Sequence, residues 1–533
     1  LQQHMAVLLA CIGLLSTLPL SAAVGRPHIV TIIADDFGWA NVGYHREDGF
    51  KETVTPSIDA LVKEGIELDR HYAYHLCSPS RSSFQSGRLP VHVNVENVEP
   101  LVHNPKDPIG GYAGIPVNMT GVAQKMKQAG YRTHMTGKWD CGMATERHTP
   151  RGRGYDTFFG YFHHANDYWT EGIGMAATGE QDVCGNKYID LWDTNKPAYG
   201  KNGTAYEEEL FEAATLEAIK SHDVSEPLFL VHAFHIVHTP LQVPEEYEKN
   251  FSFIPQPGRR TYAAMVHYMD LVIGRLVAAL KQKQMWEDTL LVFFSDNGGP
   301  LYMTANANNY PLRGGKWSDW EGGHRVNAFV SGGLIPASVA GTKFEGLISV
   351  ADWYATFATL AGVDPHDEEA EQVGLPAVDG LNVWPMLSAG ANASARTEIH
   401  LSTQALIQGQ YKLIVGMEAM SLWPGPYYPT AQDLLHPPSV PGHGGTTDML
   451  DCKTGCLFNI FDDPLEKTDL AASLPDVLAK LQDRLAELNK SFYDPDRGNE
   501  SSQACVVAER NGGFYGPFVQ QVDGFQARLP PLT

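Results

Sequence analysis

Two pairs of hard oxygen ligands follow two apolar runs in this chain. Asp35 and Asp36 close the run His28-Ile-Val-Thr-Ile-Ile-Ala34, and Asp296 and Asn297 follow Thr289-Leu-Leu-Val-Phe-Phe294 and Ser295. Three carboxylates and an amide oxygen, with no soft sulfur or imidazole among them, suit Ca2+, with Mg2+ as second choice. Either turn alone reads as an ordinary strand-end cap; together they form a candidate metal centre. A cysteine stands in Cys77-Ser-Pro-Ser-Arg81, followed by Ser86-Gly87-Arg88. On its own it is a nucleophile candidate or a buried thiol beside a proline turn. Lys138 in Gly137-Lys-Trp139, His238 in Val237-His-Thr-Pro240 and Lys316 in Leu312-Arg-Gly-Gly-Lys-Trp317 add two cations and an imidazole, and Arg81 adds a third cation. Read alone, Lys138, His238 and Lys316 could each equally be a solvated or structural residue.

These groups need a frame. Both apolar runs read as strands buried on two faces. Further strands are expected at Tyr131–Gly137 and Leu228–Phe234. Helices are expected at Ser57–Lys63, Thr120–Ala129, Tyr206–Lys220 and Thr261–Lys281, the last with Met265, Met269, Val272, Leu276 and Leu280 on one face. Strands alternating with helices imply an α/β fold, a large, mostly parallel mixed sheet sandwiched by helices, with ligands at the carboxyl ends of its strands. After about residue 395 the texture changes. Short strands at Ile399–Leu401 and Tyr411–Val415, a Pro-, Gly- and His-rich loop over 421–450, and a helix capped by Ser473 with an apolar face of Leu474, Leu478, Leu481, Leu485 and Leu488 suggest a smaller α+β domain. The expected division is 1–23 signal peptide, 24–395 catalytic domain and 396–533 C-terminal domain.

The motifs quoted above resemble those of the type I, formylglycine-dependent sulfatases, most closely the arylsulfatase B or N-acetylgalactosamine-4-sulfatase branch. Gly160-Tyr161-Phe162, Asp167-Tyr168-Trp169 and Leu241-Gln-Val-Pro-Glu-Glu-Tyr247 add to the resemblance, which runs from about Arg26 to Val383 and is weak beyond it. It implies an alkaline-phosphatase-like fold. It also implies that a formylglycine-generating enzyme oxidises Cys77 during secretion. Asp35, Asp36, Asp296, Asn297 and residue 77 would then bind the metal, and Lys138 and Lys316 the sulfate. His238, or Lys316, would protonate the leaving oxygen, and Arg81 would orient the hydrated aldehyde. The implied route is sulfate ester hydrolysis, of an aryl or carbohydrate sulfate, through a covalent sulfo-enzyme. One departure stands out. Where the family continues Gly-Lys-Trp with a catalytic His, this chain has Asp140, then Cys141. Asp140 is either a weaker base or a holder of Lys138, and Asp140→His is expected to keep or raise activity. A milder departure is Gln85-Ser86 before Gly87. Two other readings remain: a phosphate or phosphonate ester hydrolase of the same superfamily, and a non-catalytic binder of sulfated glycans.

Composition narrows the partners. The chain has 62 acidic against 39 basic residues, a formal charge of −23, which argues against nucleic acid or an anionic membrane but not against a local cationic pocket. A hydrophobic fraction of 43% excludes global disorder. The apolar stretch Ala6–Leu20 followed by Ser21-Ala-Ala23 reads as a secretory signal cleaved after Ala23, leading to the extracellular space or a lysosome- or vacuole-like compartment. No other stretch is read as a membrane span. Six Asn-x-Ser/Thr sites, at Asn118, Asn202, Asn250, Asn392, Asn489 and Asn499, agree with secretion. With Cys11 in the signal and Cys77 modified, Cys141, Cys184, Cys452, Cys456 and Cys505 remain, an odd set that leaves at least one thiol free or intermolecular; Cys452 and Cys456 are spaced for a small disulfide loop.

Overall fold

The computed structural model describes residues 25–520, apart from 47, 49, 175–180, 303, 392 and 436–447; the expected signal peptide and the Asn392 site lie outside the described residues. In chain order the strands are β1 (His28–Ala34), β2 (Ile66–Tyr72), β3 (Val102–His103), β4 (Arg132–Lys138), β5 (Thr157–Tyr161), β6 (Trp192–Asp193), β7 (Lys196–Pro197) and β8 (Leu228–Ala233). They continue with β9 (Thr289–Ser295), β10 (Ala328–Ser331), β11 (Thr342–Ser349), β12 (Glu398–His400), β13 (Ala405–Gln408), β14 (Tyr411–Glu418), β15 (Leu450–Asn459) and β16 (Asn499–Glu500). The helices used below are α1 (Pro56–Glu64), α2 (Cys77–Ser86), α3 (Val122–Gln128), α4 (Glu207–Ser221), α5 (Glu245–Lys249), α6 (Pro257–Gln282), α7 (Glu321–His324), α8 (Asp352–Ala361), α9 (Glu368–Gln372), α10 (Trp384–Ala389), α11 (Pro475–Leu488) and α12 (Gln503–Arg510).

Ten strands form the main sheet in the order β11-β2-β10-β9-β1-β8-β4-β5-β6-β7. Its central block β9-β1-β8-β4-β5 is parallel throughout, while β10 and β6 run antiparallel to their neighbours. β1 lies at the middle, and its side chains alternate between two cores. Ile29 and Ile33 face a layer with Phe84, Met126 and Phe357, and Val30 and Ile32 face one with Met265, Met269 and Leu276. α6, which supplies that second layer, is long and apolar enough by length and composition to cross a membrane, a point the sequence reading overlooked; its apolar window is 67% buried inside the protein as core.

A second sheet, β12-β13-β14-β15, is antiparallel. One face packs Leu406, Leu413 and Leu457 under Leu481 and Leu485 of α11, and the other packs Ile399, Ile407, Ile414 and Phe458 against Tyr72, Trp320 and Leu347 of the main domain. Ser473 does not cap α11. Leu474 holds the cap position without a side-chain bond, Pro475 supplies the first turn, and the Ser473 hydroxyl donates to Leu470 O at 3.0 Å. The chain then returns to the main domain: β16 pairs with β3, Ala504 and Ala508 of α12 enter the main core, and Cys505 is disulfide-bonded to Cys184. Cys452 and Cys456 form the small loop read from their spacing, and Cys77 and Cys141 are buried free thiols.

Candidate active site

The carboxyl ends of the parallel strands converge. Ala34 of β1 is in register with Ser295 of β9, and both chains leave the sheet at the next residue. The Asp36 amide donates to Asp296 Oδ1 at 3.3 Å, and the Asn297 side chain donates to Asp36 Oδ1 at 2.7 Å. Lys138 ends β4, and its Nζ donates to Asp35 Oδ2 at 2.6 Å. Gly137 before it has φ 89°, and a Cβ there would lie 1.7 Å from Ala233 O, so only glycine lets β4 deliver Lys138 beside β8. Gly298 is needed for the same reason: its Cβ would lie 1.7 Å from Gly322 O, where the Asn297 loop meets the start of α7.

Residue 77 opens α2, whose ten residues are all buried. One turn on, Arg81 donates through Nε to Asp296 Oδ2 at 2.9 Å and through Nη1 to Lys138 O at 3.0 Å, tying two strand ends together. Cys77 Sγ stands where the oxygens of a formylglycine would be. It lies 3.6 Å from Asp35 Oδ1, and Lys316 Nζ reaches it at 3.2 Å while also donating to Asp36 Oδ1 at 2.8 Å. Burial pushes the Cys77 thiol well up, against Lys138 and Lys316, so the unmodified side chain is a neutral thiol and a poor nucleophile. The following Gly87 and Arg88 are not in the site. Arg88 is fully buried against Asp367 and Pro376 O and holds the end of α2, and Gln85 exchanges hydrogen bonds with the Tyr155 hydroxyl.

Every sequence-predicted site residue therefore lies in one cluster: Asp35, Asp36, Cys77, Arg81, Lys138, Asp140, His238, Asp296, Asn297 and Lys316 are all buried. Burial pushes the Asp36 carboxyl up, but Lys316 and His238 outweigh it and hold it below its ordinary value. Burial, then Asp35, push Asp296 up against the pull of Arg81. Burial lowers His238, with Asp36 opposing. Its Nδ1 donates to Thr239 O at 2.7 Å, leaving Nε2 3.5 Å from Asp36 Oδ2.

The cluster fits a hard divalent cation. Asp36 Oδ2 and Asn297 Oδ1 are buried without a hydrogen bond, and such free oxygens beside three carboxylates suit a divalent cation. Asp35, Asp36, Cys77 and His238 bring ligand atoms within 4.8 Å of one another, so the imidazole lies at the edge of the oxygen cluster. Asp296 is the most engaged member, with Oδ2 on Arg81 and Oδ1 on the Asp36 amide.

Two features were invisible in the sequence. The first is the surround of Asp140, which has φ 52° on the turn after β4. Its Oδ1 accepts from Ser78 Oγ at 2.5 Å and His164 Nδ1 at 2.8 Å, and its Oδ2 lies 3.7 Å from Lys138 Nζ. Burial pushes Asp140 up, but His164 and Lys138 outweigh it and keep the carboxylate ionised. An imidazole at 140 has no second acceptor oxygen and no negative charge and cannot reproduce all three contacts, so Asp140→His is now expected to lower activity. The second is the support of the Lys316 loop by the smaller sheet. Glu418 of β14 accepts from the Asp319 amide at 2.7 Å, and Lys412 Nζ lies 3.0 Å from Glu321 and 2.9 Å from Glu466. Asp319 also joins the partly buried His75 and the buried His324 in a cluster.

The sequence matches the Sulfatase family model over residues 27–363. This chain is a sulfatase. The sulfatase is 32% identical to arylsulfatase J of Mus musculus over 520 residues, covering 94% of this chain and 82% of that protein. It is 29% identical to N-acetylgalactosamine-6-sulfatase of Homo sapiens over 376 residues, covering 69% and 67%. The crystal structure of Ps i-CgsB matches with a TM-score of 0.69 at 27% identity, covering 91% of this chain and 98% of that one, and Ps i-CgsB has also been crystallised with k-i-k-neocarrahexaose. The sulfatase is thus a sulfuric ester hydrolase with the alkaline-phosphatase-like fold. These relatives establish the family and do not single out the N-acetylgalactosamine-4-sulfatase branch.

Proposed function

We propose that this sulfatase removes sulfate from a sulfated carbohydrate, using a formylglycine made from Cys77 and a divalent cation, Ca2+ by preference. The observation that carries this reading is the setting of residue 77, buried at the start of α2 with Lys316 Nζ 3.2 Å and Asp35 Oδ1 3.6 Å from its Sγ. Hydrated formylglycine there supplies a hydroxyl nucleophile and a second hydroxyl whose loss of a proton releases sulfate, which serine or cysteine lacks. A cation held by Asp35, Asp36, Asp296 and Asn297 supplies positive charge beside the sulfate and makes the nucleophile hydroxyl more acidic.

The chain's own groups do the rest. Lys138 and Lys316 are held protonated by Asp35 and Asp36 against the effect of burial, and stabilise the sulfate oxygens as charge shifts onto them. Arg81 fixes Asp296 and the end of β4. His238, its Nδ1–H tied to a carbonyl, presents Nε2 to the cluster; as the imidazolium, which Asp36 favours against burial, it gives the Nε2 proton to the leaving oxygen and is left neutral, with Lys316 as second choice. A carbohydrate substrate is supported by the neocarrahexaose complex of Ps i-CgsB and by the N-acetylgalactosamine-6-sulfatase relative. Two disulfides support an oxidising compartment, hence the secretory pathway and an encounter with a formylglycine-generating enzyme.

The test is mass spectrometry of the peptide spanning residue 77, beside turnover of p-nitrophenyl sulfate, p-nitrophenyl phosphate and a panel of sulfated sugars. An aldehyde at 77 and preference for sulfate are expected. An unmodified thiol in active enzyme would overturn the nucleophile, preference for phosphate would indicate a phosphohydrolase, and glycan binding without turnover a binding protein.

A further inference from the structure

His164 belongs to none of the motifs that carry the sulfatase reading, yet it reaches Asp140 and Ser78, the neighbour of residue 77. It stands on the loop after β5, the strand beside β4, and that loop is built rigidly. Asp190 Oδ2 accepts from the Phe162 amide at 2.8 Å and the His163 amide at 2.7 Å, and also pairs with the His163 ring. Asn166 on the same loop donates to Glu207 at 2.7 Å. The loop thereby holds the His164 ring against Asp140, the ring nitrogen Nδ1 at 2.8 Å from Oδ1. An ionised carboxylate only accepts, so Nδ1 donates. The second donor to the same oxygen is the hydroxyl of Ser78, the residue directly after 77. Both donors converge on Oδ1, and Oδ2 is left buried without a hydrogen bond, with Lys138 Nζ 3.7 Å away. A buried carboxylate oxygen lacking a donor, whose partner oxygen is bonded to the residue next to 77 and whose backbone is turned to φ 52°, is prepared for a group not yet in place.

We propose that His164 is a positioning residue for sulfate ester cleavage: its Nδ1–H fixes Asp140 so that Oδ2 accepts a hydrogen bond from a hydroxyl on residue 77. The inference rests on the reading of residue 77 as a hydrated aldehyde. Without His164, Oδ1 keeps only the Ser78 bond, and the carboxylate is free to rotate into a direct pair with Lys138. The hydroxyl then loses its orientation and Lys138 is drawn from the sulfate. Misplacement on this scale is felt in kcat rather than in substrate binding.

The experiment compares wild type with His164→Ala and His164→Asn. In each protein the aldehyde content at 77 is measured by mass spectrometry and the thermal midpoint by calorimetry. The hydrate-to-aldehyde ratio is measured by NMR after labelling cysteine with carbon-13 at Cβ. A wild-type enzyme lacking the aldehyde would refute the underlying reading of residue 77 and not reach this inference. With the aldehyde present, His164→Ala is expected to lower kcat by about 10–100-fold, the usual effect of losing an outer-shell partner, at unchanged KM, and to lower the hydrate fraction. His164→Asn, whose side-chain N–H can replace Nδ1–H, is expected to restore most of both. Wild-type kcat in His164→Ala, a change confined to KM, or an Asn variant as impaired as Ala at equal aldehyde content and thermal midpoint would each overturn the proposal.

Discussion

Lys412 offers a sharp test of how the smaller sheet serves the catalytic loop. The side chain is wholly buried between Glu321 at 3.0 Å and Glu466 at 2.9 Å, themselves wholly buried. Burial pushes Glu466 up to about 7 even though Lys412 opposes it. A folded-state value above the ordinary 4.5 means that the folded chain binds this proton more tightly. The stability it contributes is complete below pH 4.5 and is lost as the pH rises through 7, a change of about 3 kcal/mol. Lys412→Met removes the cation and extends that loss to higher pH. At pH 8 the folded variant must either hold two carboxylates in a dry pocket without a cation or keep a proton that the unfolded chain has released, and breaking such a pair costs up to about 3–5 kcal/mol. At pH 5 a protonated Glu466 can donate to Glu321 while Met fills the space of the lysine stem, and the cost falls to about 1 kcal/mol or less. Calorimetry of both proteins should therefore show a thermal midpoint several degrees lower for the variant at pH 8 and nearly matched curves at pH 5. Equal shifts at the two pH values, or the larger one in acid, would refute the reasoning.

Cys77→Ser should fold with an unchanged thermal midpoint, because the site of substitution is small and buried, and lose turnover entirely; any turnover near wild type would remove the aldehyde from the mechanism. Asp140→His should lower kcat by about 10–100-fold through loss of the contacts to Ser78, His164 and Lys138, and steady-state kinetics at matched aldehyde content would check this. Stripping divalent cations should abolish activity and lower the thermal midpoint. Readdition of Ca2+ at about 100 times its Kd should restore about 2.7 kcal/mol of stability, and a midpoint indifferent to the metal would count against the oxygen cluster as its site.

The sequence made the site legible before it made the fold legible. Asp35-Asp36 and Asp296-Asn297 follow runs so uniformly apolar that they admit one reading, strands buried on both faces with polar ends, and the parallel register of β1 with β9 then brings the two turns together. α2 was harder. Its sequence, Cys-Ser-Pro-Ser-Arg-Ser-Ser-Phe-Gln-Ser, has poor helix formers and no amphipathic stripe, because it is buried on every side and made helical by its surroundings. His164 and Lys412 gave no local signal at all. Their roles come from partners 24 and 91 positions away, Asp140 and Glu321, and such pairings are set by sheet order and domain packing. Arg88 stands beside the cysteine motif, and its contacts are those of a clamp.

The central place of β1 also sets a timetable. In the finished protein residue 77 has no exposed surface, so an enzyme that makes the proposed formylglycine would have to reach the chain earlier. Both neighbours of β1 are made late: β8 begins at Leu228, about 150 positions after the cysteine, and β9 at Thr289. At about 5–20 residues per second, translation leaves roughly 8–30 s before the first of them exists. The lysine at 316 arrives later still, and the Cys184–Cys505 clasp closes last. With Cys77 early in the chain and its walls late, the proposed modification would have for its window the time it takes to synthesise the sheet that seals the cysteine.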